Sequence, residues 1–129
     1  MRGPGRTISA QRIRDLLDSS GRATPSIRQA ADLLSGGPPD DVFEVSEVAT
    51  SELLIIYRRR LRRAQAKNDP LSTDIDFLVS GLSEIDTGTV AMVASVRNGH
   101  VIYLWFTPGL DQLIGCVVGL DRRDNDDRS

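Results

Sequence analysis

The chain has 129 residues, which is enough for one domain with a substantial hydrophobic core but not for two. Its 16 basic and 18 acidic residues give a net charge of −2, whereas a dedicated nucleic-acid-binding domain usually carries a basic excess. Unbroken apolar runs such as Leu53 to Tyr57 are too short to span a bilayer, and the N-terminal residues lack the apolar stretch of a signal peptide. The single cysteine, Cys116, leaves no disulfide framework and fits a reducing compartment, so we expect a soluble cytoplasmic protein that does not enter a membrane.

Two amphipathic helices are predicted near the N-terminus, after a flexible lead over residues 1–6. The first helix ends near Gly21, and its apolar face consists of Ala10, Ile13, Leu16 and Leu17. The second has Thr24 as its N-cap and Pro25 at its first position, and Gly-Gly-Pro-Pro follows its end. Its apolar face consists of Ile27, Ala30, Ala31 and Leu34. We therefore predict a helical hairpin over residues 7–37, continuous with an α+β domain over residues 40–120.

The segment from Val42 to Val48 is compatible with two structures. Its alternating apolar residues fit a short strand, but it could also begin a longer helix, and we favour a helix that starts between Asp41 and Ser51. The stretch from Leu53 to Lys67 is helical by its pattern, because its apolar residues fall within one arc of a helical wheel. These residues are Leu53, Leu54, Tyr57, Leu61 and Ala64.

A further helix is predicted from Ser72 to Ile85, where apolar residues recur with helical spacing. Thr73 is the expected cap, and Asp74 and Asp76 favour the first turn. The apolar positions of this helix are Ile75, Leu78, Val79 and Leu82.

The last third of the chain changes to the two-residue period of strands. Asn98-Gly99 between two β-rich runs predicts a hairpin with a type I′ turn and fixes its register: Arg97 faces His100, and Met92 faces Trp105. A third strand follows the turn at 108–112, and residues 121–129 form a polar tail that we expect to be disordered. One predicted face of the meander carries Val90, Met92, Val96, Tyr103, Trp105 and, if the second turn is tight, Ile114 and Cys116; the other carries Ala91, Val93, Ile102, Leu104, Phe106, Leu113 and Val117.

A sheet that is apolar on both faces has to be covered on both faces, by helices or by another chain. The predicted fold class is therefore α+β, with N-terminal helices packed on a C-terminal three-stranded antiparallel β-meander.

Most catalytic and metal-binding arrangements are disfavoured. One histidine and one cysteine cannot supply a standard zinc site, and the acidic residues Asp74, Asp76, Glu84 and Asp86 have no calcium-loop spacing, so we expect them to form a solvated rim. The predicted pairing separates His100 from Cys116, and neither a Gly-x-Ser-x-Gly elbow nor a Walker-type loop is present. No cofactor and no metal are expected, and the chain is predicted not to be an enzyme.

The stretch from Thr24 to Leu34 resembles the first helix of helix-turn-helix DNA-binding proteins, with a capping Thr, a mid-helix Ala and a following Leu. That family requires a turn and a recognition helix next. Here two prolines follow, and residues 40–52 contain five acidic and no basic side chains, a charge that phosphate groups would repel. The resemblance therefore covers about a dozen residues and lacks its second half.

Four arginines, Arg58, Arg59, Arg62 and Arg63, point away from the core face of the third predicted helix. Three interpretations remain open: a solvated, salt-bridged surface, a docking surface for an acidic protein, and a nucleic-acid-binding surface. Met92, Tyr103 and Trp105 are further candidates, because interfaces favour these residue types at their centres, although the same face could simply receive helices.

The function that we expect is a non-enzymatic bacterial protein-interaction module of the immunity, antitoxin or adaptor type. It would bind a protein partner, and a homodimer is a further alternative. The main alternative is a nucleic-acid-binding regulator that uses the N-terminal helical hairpin and the Arg58–Arg63 face, and a small-ligand pocket between sheet and helices also remains open.

Overall fold

A computed structural model describes residues 5–21 and 23–120, which form an α+β fold. Within this part of the chain, an antiparallel sheet has the strand order β1-β2-β3-β4-β5, and four helices flank it. The strands are β1 (Arg6–Ser9), β2 (Val42–Ala49), β3 (Thr89–Arg97), β4 (His100–Phe106) and β5 (Leu113–Leu120). The helices are α1 (Ala10–Ser19), α2 (Pro25–Ser35), α3 (Thr50–Ala66) and α4 (Leu71–Glu84).

The sheet has five strands instead of the predicted three, because β1 and β2 extend it beyond the meander. A helix does start inside the window that we favoured, at Thr50, but Val42–Ala49 is a strand, so favouring helix there was wrong. β2 pairs with β1 through its first half and with β3 through its second half. Both partners are distant in sequence, and β1 has only four residues within the region taken as lead and helix, so no local pattern indicated this pairing.

The N-terminal helices agree with the prediction. Ser9 caps α1 by accepting a hydrogen bond from the Arg12 amide at 3.1 Å, and Thr24 caps α2 by accepting one from the Ile27 amide at 3.3 Å. Pro25 is the first residue of α2. The predicted apolar positions of both helices are buried, except Ala31, which is half-buried. Of the predicted lead and tail, residues 1–4 and 121–129 lie outside the described residues.

Helix α4 begins two residues before the predicted cap, Thr73. The carboxylate of Asp69 accepts a hydrogen bond from the Leu71 amide at 3.0 Å and so supplies the polar partner at this helix start. Asp74 was wrongly assigned to a solvated rim, since only 1% of it is exposed and its Oδ1 accepts a hydrogen bond from the Ser26 amide at 2.9 Å.

The hairpin of β3 and β4 has the predicted register, including the pairs Arg97–His100 and Met92–Trp105. Asn98 and Gly99 have φ values of 50° and 77°, and a type I′ turn requires positive φ at both positions.

Helices cover both faces of the sheet. One cluster, formed by α1, α2 and the sheet face that carries Ala91 and Val93, includes Ile13, Leu34 and Phe106. The other, formed by α3, α4 and the sheet face that carries Val90 and Met92, includes Tyr57, Leu78, Trp105 and Val117.

The predicted faces of β5 are wrong at two positions: Cys116 lies in the α1/α2 cluster and Val117 in the α3/α4 cluster. A β-bulge is the cause. Phe106 pairs with Leu113 and Trp105 pairs with Gly115, so Ile114 is an additional residue on β5. Every side chain after the bulge is therefore moved to the opposite face.

Gly115 lies at this bulge, where Leu78 of α4 packs closely against the strand. A Cβ atom at this position would lie 2.6 Å from Leu78 Cδ1 and 3.0 Å from the Leu78 backbone Cα. At Gly119 on the same strand, a Cβ atom would meet no heavy atom of the described residues within 4 Å.

We therefore expect Gly115→Ala to lower the free energy of unfolding by about 1–3 kcal/mol, because α4 has to move away from the sheet. Gly119→Ala is the matched control and should leave it nearly unchanged. Urea unfolding of both variants measures the difference, and equal stabilities would contradict the close approach of α4.

A second prediction concerns Asp74. Asp74→Ala leaves the buried Ser26 amide without an acceptor and should cost about 1–3 kcal/mol of unfolding free energy. Asp76→Ala, two residues further along the same helix and exposed, should change it by no more than about 0.5 kcal/mol. If thermal and urea unfolding cannot distinguish the two variants, the Ser26–Asp74 hydrogen bond does not stabilise the fold.

Candidate protein-binding surface on helix α3

Helix α3 has one buried side and one exposed side. Leu53, Tyr57 and Ala64 are buried against α4 and the sheet, and Leu54 and Leu61 are half-buried beside them, as predicted. Because successive residues of an α-helix are rotated by about 100°, the remaining positions of α3 face solvent.

The exposed side combines charge with apolar area. Arg58, Arg59, Arg62 and Arg63 are all exposed, and two large apolar side chains lie on the same side, Ile55 with 59% and Ile56 with 51% of its surface exposed. We call these six residues the α3 outer surface. Ile55 and Ile56 were missed as candidates, although the helical wheel that places the arginines outside the core also places both isoleucines there.

The arginines of the α3 outer surface have no acidic partner within the described residues. The ion pair found in that part of the chain joins Arg97 to Asp41 at 2.9 Å, on the other side of the sheet layer. Arg58 donates a long hydrogen bond of 3.4 Å to the Ser83 hydroxyl. The salt-bridged surface that was one interpretation of these arginines is therefore not formed among residues 5–21 and 23–120.

The other candidate residues lie beneath α3 and not on its outer surface. Trp105 is 1% exposed, with its ring stacked on Tyr103 at a centroid distance of 6.0 Å and edge-on to Tyr57 at 5.3 Å. Met92 and Tyr103 are half-buried on the same sheet face. Since Tyr57 belongs to the buried side of α3, the aromatic cluster and the arginines lie on opposite sides of this helix.

Two polar groups in the aromatic cluster have unusual surroundings. Trp105 Nε1 is buried and has no hydrogen-bond partner among the described residues. The Trp105 and Tyr57 rings meet in an edge-on arrangement. Burial raises the pKa of Tyr57, and the Arg60 guanidinium, 4.9 Å from the centre of its ring, opposes that shift. Tyr57 therefore stays protonated at neutral pH.

The nucleophilic and metal-binding groups are separated. Burial, with a further contribution from the charge of Asp74, raises the pKa of the Cys116 thiol well above its ordinary value, so the reactive thiolate is disfavoured. His100 lies at the β3–β4 turn with its Nδ1 3.1 Å from the Asn98 carbonyl, whereas Cys116 pairs with Leu104 further along the sheet. Within the described ranges, no three His, Cys, Asp or Glu residues are grouped so that they could hold a metal ion.

Comparison with known proteins adds no relative. No family model, no characterised protein and no solved structure matches the chain significantly. In the part of the chain that the structure describes, no helix combines the length and apolar composition needed to cross a membrane.

The position of Trp105 leads to a prediction about stability. Trp105→Ala should lower the free energy of unfolding by about 3–5 kcal/mol, because it removes the largest side chain beneath α3 and α4. Trp105→Phe should cost less, since it keeps an aromatic ring and removes an indole N–H that has no hydrogen-bond partner in the described part of the chain. Calorimetry on both variants tests this expectation. If the alanine variant unfolds at the same temperature as the wild-type protein, Trp105 is not part of the core.

Proposed function

We propose that the protein is a non-enzymatic interaction module that binds an acidic protein partner through the α3 outer surface. The observation that carries this proposal is the combination of two exposed isoleucines with four exposed arginines that have no acidic partner within the described residues. The class that fits is an immunity, antitoxin or adaptor protein of a bacterial cytoplasm.

The chemistry of this surface favours a protein partner. Interfaces are enriched in arginine at their energetically important positions, and burying an isoleucine in an apolar pocket contributes about 1.5–3 kcal/mol. A partner with carboxylates around an apolar pocket would complement both residue types, and the arginine charges would accelerate its association. Self-association through the α3 outer surface is disfavoured, because a two-fold interface would bring the same four positive charges together.

A nucleic-acid-binding regulator is supported less well by the arrangement of the helices. The alternative requires the N-terminal hairpin and the arginines to contact one nucleic acid, but α1 and α2 cover one face of the sheet and α3 covers the other. A duplex lying on the arginines would therefore meet α3 without the hairpin. The exposed Ile55 and Ile56 would also lie against a phosphate backbone that offers them no apolar contact.

The proposal is tested by affinity capture from the source cell with the full chain. Wild-type protein should retain a specific partner, and the variant with Arg58, Arg59, Arg62 and Arg63 changed to Glu should lose it while unfolding at an unchanged temperature. Ile55→Ser should weaken binding by about tenfold or more, since one buried isoleucine is lost from the interface. The control is Arg28→Glu, which reverses the charge of an exposed residue on α2 and should bind the partner normally. Retention of the partner by the four-arginine variant would remove the α3 outer surface from the interface.

The same proteins decide between protein and nucleic-acid partners. We expect no measurable binding of mixed duplex DNA or RNA near physiological salt. Binding at micromolar concentration, with a slope of about −3 or steeper in a plot of log affinity against log salt, would favour the regulator instead.

A further inference from the structure

A groove lies where the helices leave one end of the sheet uncovered. Its floor is formed by the ends of β4 and β5, with Val101 and Tyr103 from one strand and Val117 and Gly119 from the other. Its walls come from Arg60 in the second half of α3, from Asp69 in the connection to α4, and from Leu71 at the start of α4. The groove has a volume of about 510 Å³, within the range of roughly 300–1,000 Å³ that is usual for small-molecule sites.

The charged side chains of the groove are concentrated at its helical end. Arg60 and Asp69 line the groove, and a smaller adjoining hollow of about 160 Å³ shares both of them and adds Arg63 and Lys67. Three cations therefore face one carboxylate. Asp69 is already engaged, because its Oδ1 accepts a hydrogen bond from the Leu71 amide. The net charge at this end is positive.

The main cation and the apolar floor are held in place by the fold. Arg60 is half-buried with its guanidinium 4.9 Å from the centre of the Tyr57 ring, and it has no ion-pair partner within the described residues. Tyr103 stacks on the buried Trp105 at an interplanar angle of 15°. An ordered cation beside an ordered aromatic floor lowers the entropy lost when a ligand binds.

We infer that this groove binds a small anionic molecule with an apolar or aromatic body. The body would lie on Val101, Tyr103 and Val117, and a carboxylate or phosphate group would contact Arg60, with Arg63 and Lys67 beside it. A guanidinium matches the planar, two-oxygen geometry of such groups. The site is separate from the α3 outer surface except for Arg63, and the inference does not rest on the proposed partner binding.

Gly119 provides a variant that blocks the groove and preserves the fold. Among residues 5–21 and 23–120, no heavy atom lies within 4 Å of a Cβ atom at this position, and the backbone needs no positive φ. Gly119→Val therefore places its Cβ atom in open space and adds a β-branched side chain that strands favour, and we expect it to occupy part of the groove.

The test is a titration of the full chain followed by amide NMR signals and by the fluorescence of Trp105, the only tryptophan in the chain. The probes are hydrocinnamate, phenyl phosphate and the neutral hydrocinnamamide. We expect saturable shifts at Val101, Gly119 and Leu71 with at least one of the two anions and much weaker shifts with the amide. A preference between the anions identifies the head group as carboxylate or phosphate.

Three variants complete the experiment. Gly119→Val should abolish these shifts, Arg60→Gln should weaken binding by about tenfold, and Arg59→Gln, one residue away on the outer side of α3, should leave it unchanged. The inference is overturned if neither anion shifts these signals at concentrations up to about 10 mM. It is also overturned if the amide binds as well as the anions, or if Gly119→Val binds as the wild type does.

Discussion

Ser26 connects the two helical layers around the edge of the sheet, and the positions of the other elements depend on it. Its amide donates to the Asp74 carboxylate at 2.9 Å, its hydroxyl accepts from the Val118 amide at 3.0 Å, and its carbonyl lies 3.6 Å from the Cys116 thiol. Ser26 is on α2, Asp74 is on α4, and the other two residues are on β5. One residue with 2% of its surface exposed thus contacts a helix from the opposite layer and the last strand of the sheet.

This arrangement solves two problems that a small two-sided sheet creates. β5 is at the end of the strand order, and an edge strand presents unpaired amides that can pair with other chains. The Ser26 hydroxyl satisfies one of these amides, and the start of α2 lies against the strand. The carboxylate of Asp74 gains from the same contact, because the N-terminal end of a helix stabilises a negative charge that would otherwise be costly to bury.

Once α4 is fixed against β5, the position of α3 follows, because the two helices share the cluster around Leu78 and Trp105. The buried side of α3 is used for this packing. The helix has 17 residues, and two of its regions remain exposed. The outer side presents isoleucines and arginines to solvent, and the second half of the helix stands beside the uncovered strand ends, where Arg60 and Tyr103 line the same groove. Two candidate binding regions of different chemistry thus arise from one helix and one sheet face.

The sequence by itself determined the elements whose signals are local. Helical periodicity and caps located α1, α2 and the core side of α3, and Asn98-Gly99 predicted the β3–β4 hairpin with its register. The exposure of Arg58 and its neighbours followed from the same helical wheel. These features depend on residues within about one turn of each other, so a single stretch of chain contains the information.

Only the tertiary structure decided the features that join distant residues. The strand at Val42–Ala49 exists because β1 and β3 pair with it, and the bulge at Ile114 changes which face Cys116 and Val117 occupy. In the sequence, Asp74 is indistinguishable from an ordinary acidic residue in the first turn of a helix, and only the folded chain brings Ser26 to it. The groove beside Arg60 has no sequence pattern, because residues from two strands and two helices line it. Long-range strand pairing and burial depend on the sum of many small free energies across the whole domain. A local sequence pattern therefore cannot predict which strands pair or which side chains are buried.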